Sequence, residues 1–410
     1  MRLKIAVIGS KGLPPHQGGI EHHCAQLYPR IVQAGHEVDL YARSSYSQSY
    51  SQPHSQLDRK SPAHSHHQDS SIQRYKGVRV ITTPSIRVRG LDALGCSGMA
   101  AAIALTKRYD IVHYHALGPS LFTPFTHHFS SAKVITTCHG LDWQRAKWGK
   151  FPRWVIKKGE QAAVGNTNRL IVVSEALQDY FLAQYGKETT YIENAPIPYA
   201  DSDASFSFGR SLGLEQDRYL LFVGRLVPEK RIDLLIKAFQ RLDQTGWKLA
   251  IVGDNSDSSE FVLDLLRLAS GRPDVVFVGE LHGQWLAEIV RGAGLFVLPS
   301  DVEGLPLVLL EAMQEQIPVV VSDILVHRQV VGEEGGLTFT TGNEESLRHR
   351  LAWAIAHPRA MKQMAGRARG YVSMNYCWDA IASKYLAQYE MLVHRTVEPS
   401  VPIRASMKRP

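Results

Sequence analysis

Cysteine is scarce and scattered: Cys24, Cys96, Cys138 and Cys377 form no C-x-x-C pair. That pattern argues against a disulfide framework or a cysteine-based zinc site and fits a reducing cytoplasm. No apolar run approaches the roughly 18 residues that a membrane span needs. The stretch from Met1 to Gly9 is too short in apolar residues for a signal peptide and reads as a first strand. The G-x-G-x-x-G fingerprint is also missing, since Gly9 and Gly12 do not supply it and the loop that holds them is too long. That counts against a nicotinamide dehydrogenase. No basic patch interleaves with aromatic residues, so no nucleic-acid partner is expected. The D-x-D pair Asp201 and Asp203 follows no strand and reads as a polar junction, not a metal site. His54, His64, His66 and His67 stand in a stretch of Ser, Gln and Tyr and read as solvated. No metal and no other cofactor is expected.

What is present is the composition of a globular protein, 44% hydrophobic and 21% charged, on a chain of 410 residues. That length exceeds what one core usually holds, so two domains are expected. The net charge of +7 is uneven. Residues 1–200 carry 23 basic against 13 acidic side chains, and residues 201–410 carry 23 against 26. A basic first half (+10) beside a mildly acidic second half (−3) suggests that one domain meets an anionic partner.

Strands and helices alternate in the first half. Leu3 to Gly9 is a strand, a glycine-rich loop follows, and a helix is expected from Ile20 to about Ala34. Further short strands are expected at His36 to Ala42, Val78 to Thr82, Ile111 to Tyr114, Val134 to Cys138 and Leu170 to Val173. Ser44 to Ser71, poor in aliphatic residues, reads as a flexible insert. After the Pro-rich stretch at Ala195 to Pro198 the alternation restarts. Strands are expected at Tyr219 to Val223, Lys248 to Val252, Val275 to Val278, Leu295 to Leu298 and Val319 to Ser322, with helices between them. This pattern predicts an α/β protein of two doubly wound sheets, 1–200 and 201–375, facing across a cleft. A helix over 376–394 crosses back to the first domain, and 395–410 reads as a disordered tail.

Three stretches carry candidate chemistry. Pro299 to Met313 reads as a strand end, a polar loop and a helix opened by Pro306, with Glu303 in the loop and Glu311 in the second turn. A helix start above a strand end favours an anion, and two carboxylates there can hold different parts of one ligand. Gly224, Arg225 and Lys230 follow strand Tyr219 to Val223, where a planar fork and a point charge suit a pyrophosphate. Charge pairs at such a site are worth about 4 kcal/mol each at 4 Å and an effective dielectric near 20. His139 and Gly140 directly follow strand Val134 to Cys138, and Gly18-Gly19-Ile20-Glu21 precedes the first long helix. Each stretch alone also fits a solvated turn.

Together they resemble a known family. Glu303 and Glu311 with Gly304-Leu305-Pro306 and Ala312-Met313 are similar to the signature of the retaining glycosyltransferases of family 4, which have the GT-B fold. Gly224-Arg225-Leu226 with Lys230 matches that family's phosphate-binding pair. Gly9 to Pro15, Gly18 to Glu21 and His139 to Arg145 with Lys147-Trp148 resemble rhamnosyltransferase-like members that act on cell-surface polysaccharides. The resemblance implies a nucleotide-diphosphate-sugar donor and a glycan or lipid-linked acceptor. By it, Arg225 and Lys230 take the diphosphate and Glu311 the ribose. Glu303 and the backbone of Gly304, Leu305 and Pro306 take the donor sugar, and His139 its other face. Gly18 and Gly19 lie near the diphosphate and acceptor. Asn194-Ala195 stands where many members have Asn-Gly.

Lys147, Lys150, Arg153, Lys157 and Lys158 alternate with Trp148, Phe151, Trp154, Val155 and Ile156, and the region is a candidate contact with the inner face of the plasma membrane. A cytoplasmic location, peripheral to that membrane, is expected. A GT-B-like sugar-nucleotide epimerase and a non-catalytic sugar-nucleotide-binding protein are the competing readings.

Overall fold

The computed structural model describes residues 1–15, 19–44, 72–84, 92–144, 148–242, 246–253 and 259–394. Gly18, Arg145, Lys147, nearly all of the insert after Ser44, and the tail from 395 lie outside the described residues.

The chain opens with β1 (Lys4–Ile8), α1 (Gly19–Gln33), β2 (Glu37–Arg43), β3 (Ile72–Tyr75), β4 (Val78–Thr83), α2 (Asp92–Thr106) and β5 (Ile111–His115). Next come α3 (Thr123–Phe129), β6 (Lys133–Cys138), α4 (Lys150–Gly165), β7 (Arg169–Val172), α5 (Glu175–Tyr185) and β8 (Thr190–Tyr191). The first sheet runs β3-β4-β2-β1-β5-β6-β7-β8, parallel except for β3, which pairs antiparallel with β4 at the edge. Its central strands are buried along nearly all their length because helices cover both faces, and they bury His113, His115, Thr136 and Thr137 among their apolar residues.

The second half holds α6 (Ser207–Ser211), β9 (Tyr219–Val223), α7 (Ile232–Gln240), β10 (Lys248–Val252), α8 (Ser259–Leu268), β11 (Val275–Gly279), α9 (Gly283–Arg291) and β12 (Leu295–Leu298). It continues through α10 (Leu307–Gln314), β13 (Val319–Ser322), α11 (Leu325–Val331), β14 (Leu337–Phe339), α12 (Glu344–Ala356), α13 (Pro358–Asn375) and α14 (Trp378–His394). The second sheet is fully parallel, ordered β11-β10-β9-β12-β13-β14. Both sheets reverse their winding direction once, between β1 and β5 and between β9 and β12. Ligands of doubly wound sheets sit at such switch points, beyond the carboxyl ends of the strands.

The helix α14 returns to the first domain. Its Trp378, Ile381, Ala382, Tyr385, Tyr389 and Leu392 are buried in the core that β1, β2 and α1 build. Trp378 Nε1 donates to Pro196 O at 3.2 Å, Lys384 pairs with Glu193 at 2.5 Å, and Arg30 of α1 pairs with Asp379 at 2.6 Å. The two passages of chain between the domains are therefore bonded to each other. Ala195 is buried in the same core, where the methyl group absent from an Asn-Gly linker has packing to do. All four cysteines are free thiols. Among the described residues no helix is long and apolar enough to cross a membrane.

Candidate active site

The loops beyond β9 and β12 are stitched together. The Asp301 amide donates to Glu229 O at 2.9 Å, and Arg231 reaches Asp301 at 3.2 Å. Lys230 pairs with the carboxylate of Glu303, whose Oε1 also accepts from Ser300 Oγ at 2.7 Å. Both members of the pair are largely shielded, with side chains 14% and 10% exposed. Burial alone would raise the Glu303 carboxyl, but Lys230, His327 and the hydrogen bonds from Lys230 and Ser300 hold it below its usual range. Glu303 is therefore a carboxylate with its counter-ion already beside it. Arg225 lies exposed two residues beyond β9, on the same rim.

The helix α10 begins at Leu307, so Pro306 occupies the N-cap, one place before the first helical position expected for it. The extended Pro306 backbone (φ −78°, ψ 97°) turns the loop into the helix. The start of α1 meets the start of α10: a Cβ built on Gly19 would lie 3.9 Å from Leu307 Cδ1. Two positive helix ends thus share one gap, an arrangement that favours an anion.

His139 and Gly140 come from the first domain to the same place. A Cβ on Gly304 would stand 2.0 Å from His139 O, so only glycine lets these backbones touch. The neighbouring Leu305 packs its side chain against the cores of both domains. Beside Leu305 opens a cavity of about 190 Å³ bordered by Ser174, Tyr191, Val326, Tyr371 and Tyr376. Gly9, at φ +109°, is pinned in the same way, because a Cβ there would meet His115 O at 2.2 Å.

The His139 ring points back toward the first domain, with Nε2 2.9 Å from His115 Nδ1. Burial, with His23 and His113 nearby, pushes its imidazole well below the usual pKa, so it is neutral. Glu311 Oε2 accepts from Tyr199 OH at 3.2 Å, a residue of the interdomain passage. Burial lifts Glu311 to about 7, opposed by hydrogen bonds from Tyr199 and the Ile197 backbone. Asp203 is engaged with the amide of Ser205 at 2.8 Å and its hydroxyl at 2.6 Å, as a polar turn requires.

The sequence does not point to several partners. Ser300, Tyr199, His115 and Asn194 are single polar residues in apolar or loop contexts. Glu160 of α4 accepts from Trp143 Nε1 and Tyr180 OH, both at 2.8 Å, and from Tyr185 OH at 2.5 Å. It thereby anchors the turn after His139.

Residues 17–195 match the family model "Glycosyltransferase Family 4", and residues 206–371 match "Glycosyl transferases group 1". An uncharacterized glycosyltransferase of Methanocaldococcus jannaschii is 26% identical over 409 residues, 95% of this chain and 98% of that one. A glycogen synthase of Mycobacterium tuberculosis is 25% identical over 435 residues, 98% of each. Among solved structures, sucrose-phosphate synthase from Thermosynechococcus elongatus has a TM-score of 0.78 at 22% identity, over 96% of this chain and 100% of that one. HepE from Anabaena, solved with UDP and glucose, has a TM-score of 0.75 at 17% identity, over 95% and 100%.

Proposed function

The chain belongs to glycosyltransferase family 4 and has the GT-B fold, and from that premise we propose that it is a retaining enzyme. It moves a sugar from a nucleotide-diphosphate-sugar to a glycan or lipid-linked acceptor in cell-surface polysaccharide synthesis, without a metal at the diphosphate. One observation carries this reading: the Lys230–Glu303 pair, the starts of α1 and α10, and the His139-Gly140 turn converge on one gap between the domains.

The diphosphate enters between the helix starts and draws on Lys230 and Arg225 for counter-charge. Lys230 then shares its charge between the diphosphate and Glu303. Glu303 and the backbone after it hold the donor sugar, and Glu311 accepts from the ribose hydroxyls. In the reaction the bond from the sugar's anomeric carbon to the diphosphate oxygen breaks, and its electron pair leaves with the diphosphate. The acceptor oxygen bonds to the same face of that carbon, and its proton passes to the departing phosphate oxygen. With Glu303 committed to Lys230 and Ser300, this front-face course needs no free carboxylate nucleophile. The protein's contribution is positioning and charge.

The candidate membrane face gains an observation. Phe151 and Trp154 of α4 are exposed and stacked at 6.1 Å, and Lys158 Nζ lies 5.8 Å from the Trp154 centroid. Phe125 and Phe129 of the neighbouring α3 are exposed as well. Aromatics beside Lys150, Arg153 and Lys157 suit an anionic bilayer surface, from which a cytoplasmic enzyme would meet a lipid-linked acceptor.

The test is incubation with UDP-, GDP-, ADP- and dTDP-sugars, dTDP-rhamnose included, with and without chelator. The anomeric configuration of any product is then read by NMR. Transfer with retention that survives the chelator supports the proposal. Inversion, strict metal dependence, epimerisation of free donor or binding without turnover would each replace the corresponding part. Loss of anionic-vesicle binding in Phe151→Ser/Trp154→Ser would support the membrane face, and unchanged binding would remove it.

A further inference from the structure

Behind His139 the first domain gathers two further imidazoles, His23 and His115, that the transfer reaction does not use. His23 of α1, His115 at the end of β5 and His139 beyond β6 bring one ring nitrogen each to within 4.8 Å of one another. The His23 and His139 centroids are 4.9 Å apart, and those of His115 and His139 are 5.2 Å apart. His23 and His115 are fully buried, and His139 is half-buried.

The protonation of His23 follows from its partner. Its Nδ1 lies 2.5 Å from Asn194 Oδ1, an atom that can only accept, so Nδ1 carries the proton. The Nε2 atom is then a bare lone pair. It is buried and has no hydrogen-bond partner, which costs free energy unless something occupies it. Burial holds His23 at about 4 and pushes His115 and His139 well below the usual value, so all three are neutral, the form that ligates a metal.

We propose that His23 Nε2, His115 Nδ1 and His139 Nε2 form a binding site for one divalent transition-metal cation of the zinc, cobalt or nickel kind. A water molecule would fill the fourth position. Three neutral imidazoles suit these ions and not the oxygen-seeking magnesium or calcium. The supporting groups are in place: Asn194 orients His23, and Tyr28 OH lies 2.6 Å from His115 Nε2. The hydrogen bond between His115 Nδ1 and His139 Nε2 contains one proton, which must leave the space between them. If His115 holds it, it moves to His115 Nε2, which then donates to Tyr28, while Tyr28 donates to His113 Nδ1 at 3.0 Å. If His139 holds it, it moves to His139 Nδ1. Either way the chain loses no net proton. The ion would tie α1, β5 and β6 together beneath the turn that touches Gly304. The site shares only His139 with the glycosyltransferase reading, and its readout is cation binding, not transfer.

The experiment is titration of the chelator-stripped full chain with Co²⁺, followed by visible absorption. The expected result is about one Co²⁺ per chain, with the intense bands of a tetrahedral nitrogen site, displaced by Zn²⁺. Asn194→Ala should weaken binding about 10- to 100-fold, and His23→Ala by about 100-fold or more. The His64→Ala/His66→Ala/His67→Ala variant should bind as tightly as the wild type. Only the weak octahedral spectrum in the wild type overturns the proposal, as does loss of binding in the triple variant or undiminished binding in His23→Ala. If His23→Ala does not fold, the wild-type spectrum and Asn194→Ala decide.

Discussion

At the scale of single residues, Lys230 and Glu303 carry the sharpest expectations. Lys230→Ala leaves a shielded carboxylate without its counter-ion, which costs about 3 kcal/mol when a buried pair is broken. Adding Glu303→Gln should restore much of that stability in urea unfolding. Turnover should stay down about 100- to 1000-fold in both variants, as when a charge-stabilising donor is lost. Recovery of turnover together with stability would make the pair merely structural. Glu311 offers a second handle, since burial raises it from 4.5 to about 7 in the folded chain. A raised carboxyl binds its proton more tightly when folded, so the cost of ionising it appears as pH rises through that window and is complete above about 7. Glu311→Gln should therefore raise the melting midpoint by a few degrees, about 2–4 °C per kcal/mol relieved, at pH 8 and leave it unchanged at pH 4. Donor affinity should fall in the same variant at pH 8, where the wild-type carboxylate is ionised; unchanged affinity would remove Glu311 from the ribose.

At the scale of elements, the touch between the Gly304 loop and the His139 turn is the joint on which the site depends. Gly304→Ala puts a methyl group 2.0 Å from His139 O. Separating the two loops should cut kcat/KM about 100-fold, as misplacement by an ångström does. The melting midpoint should barely move, because neither core is entered. Wild-type turnover in Gly304→Ala would mean that the touch is incidental. The strands around this joint were readable: Tyr219–Val223, Lys248–Val252, Leu295–Leu298 and Val319–Ser322 follow their apolar runs to within one residue, Lys248 and Ser322 being the polar ends. Buried parallel strands have no polar face to blur their ends. The edge strand β3 escaped, because Ile72, Gln73 and Arg74 are exposed and leave no apolar signal. The helix α13 escaped too, although Met361, Ala365, Ala368 and Val372 mark its buried stripe, since Gly366 and Gly370 and the scattered Arg, Lys and Gln residues break up the run. Glu160 was invisible for a different reason: its donors Trp143, Tyr180 and Tyr185 come from two separate segments.

At the scale of the whole molecule, buried histidines set the acid limit. His23 and His327 fall to about 4, and His113, His115 and His139 also lie well below 6.5, chiefly through burial. Depressed groups contribute stability that is present above 6.5 and lost as pH falls toward the folded values, up to about 1.4 kcal/mol per group per pH unit. Glu311 works in the opposite direction, but one group does not offset five. Urea midpoints should therefore drop steadily from pH 6.5 to 4, and a flat profile would contradict the neutral histidine cluster. The sequence exposed the two-domain plan through its repeated alternation and singled out two acids and two bases as candidates through local motifs. It did not expose the histidine cluster, because His23, His115 and His139 meet only after three elements fold together. The return of α14 has a mechanical corollary. Because the polypeptide crosses between the lobes twice, near Pro196 and again near Tyr376, a protease that nicks one crossing leaves the halves fastened by the other, so a clipped sample should still migrate as one particle until denatured.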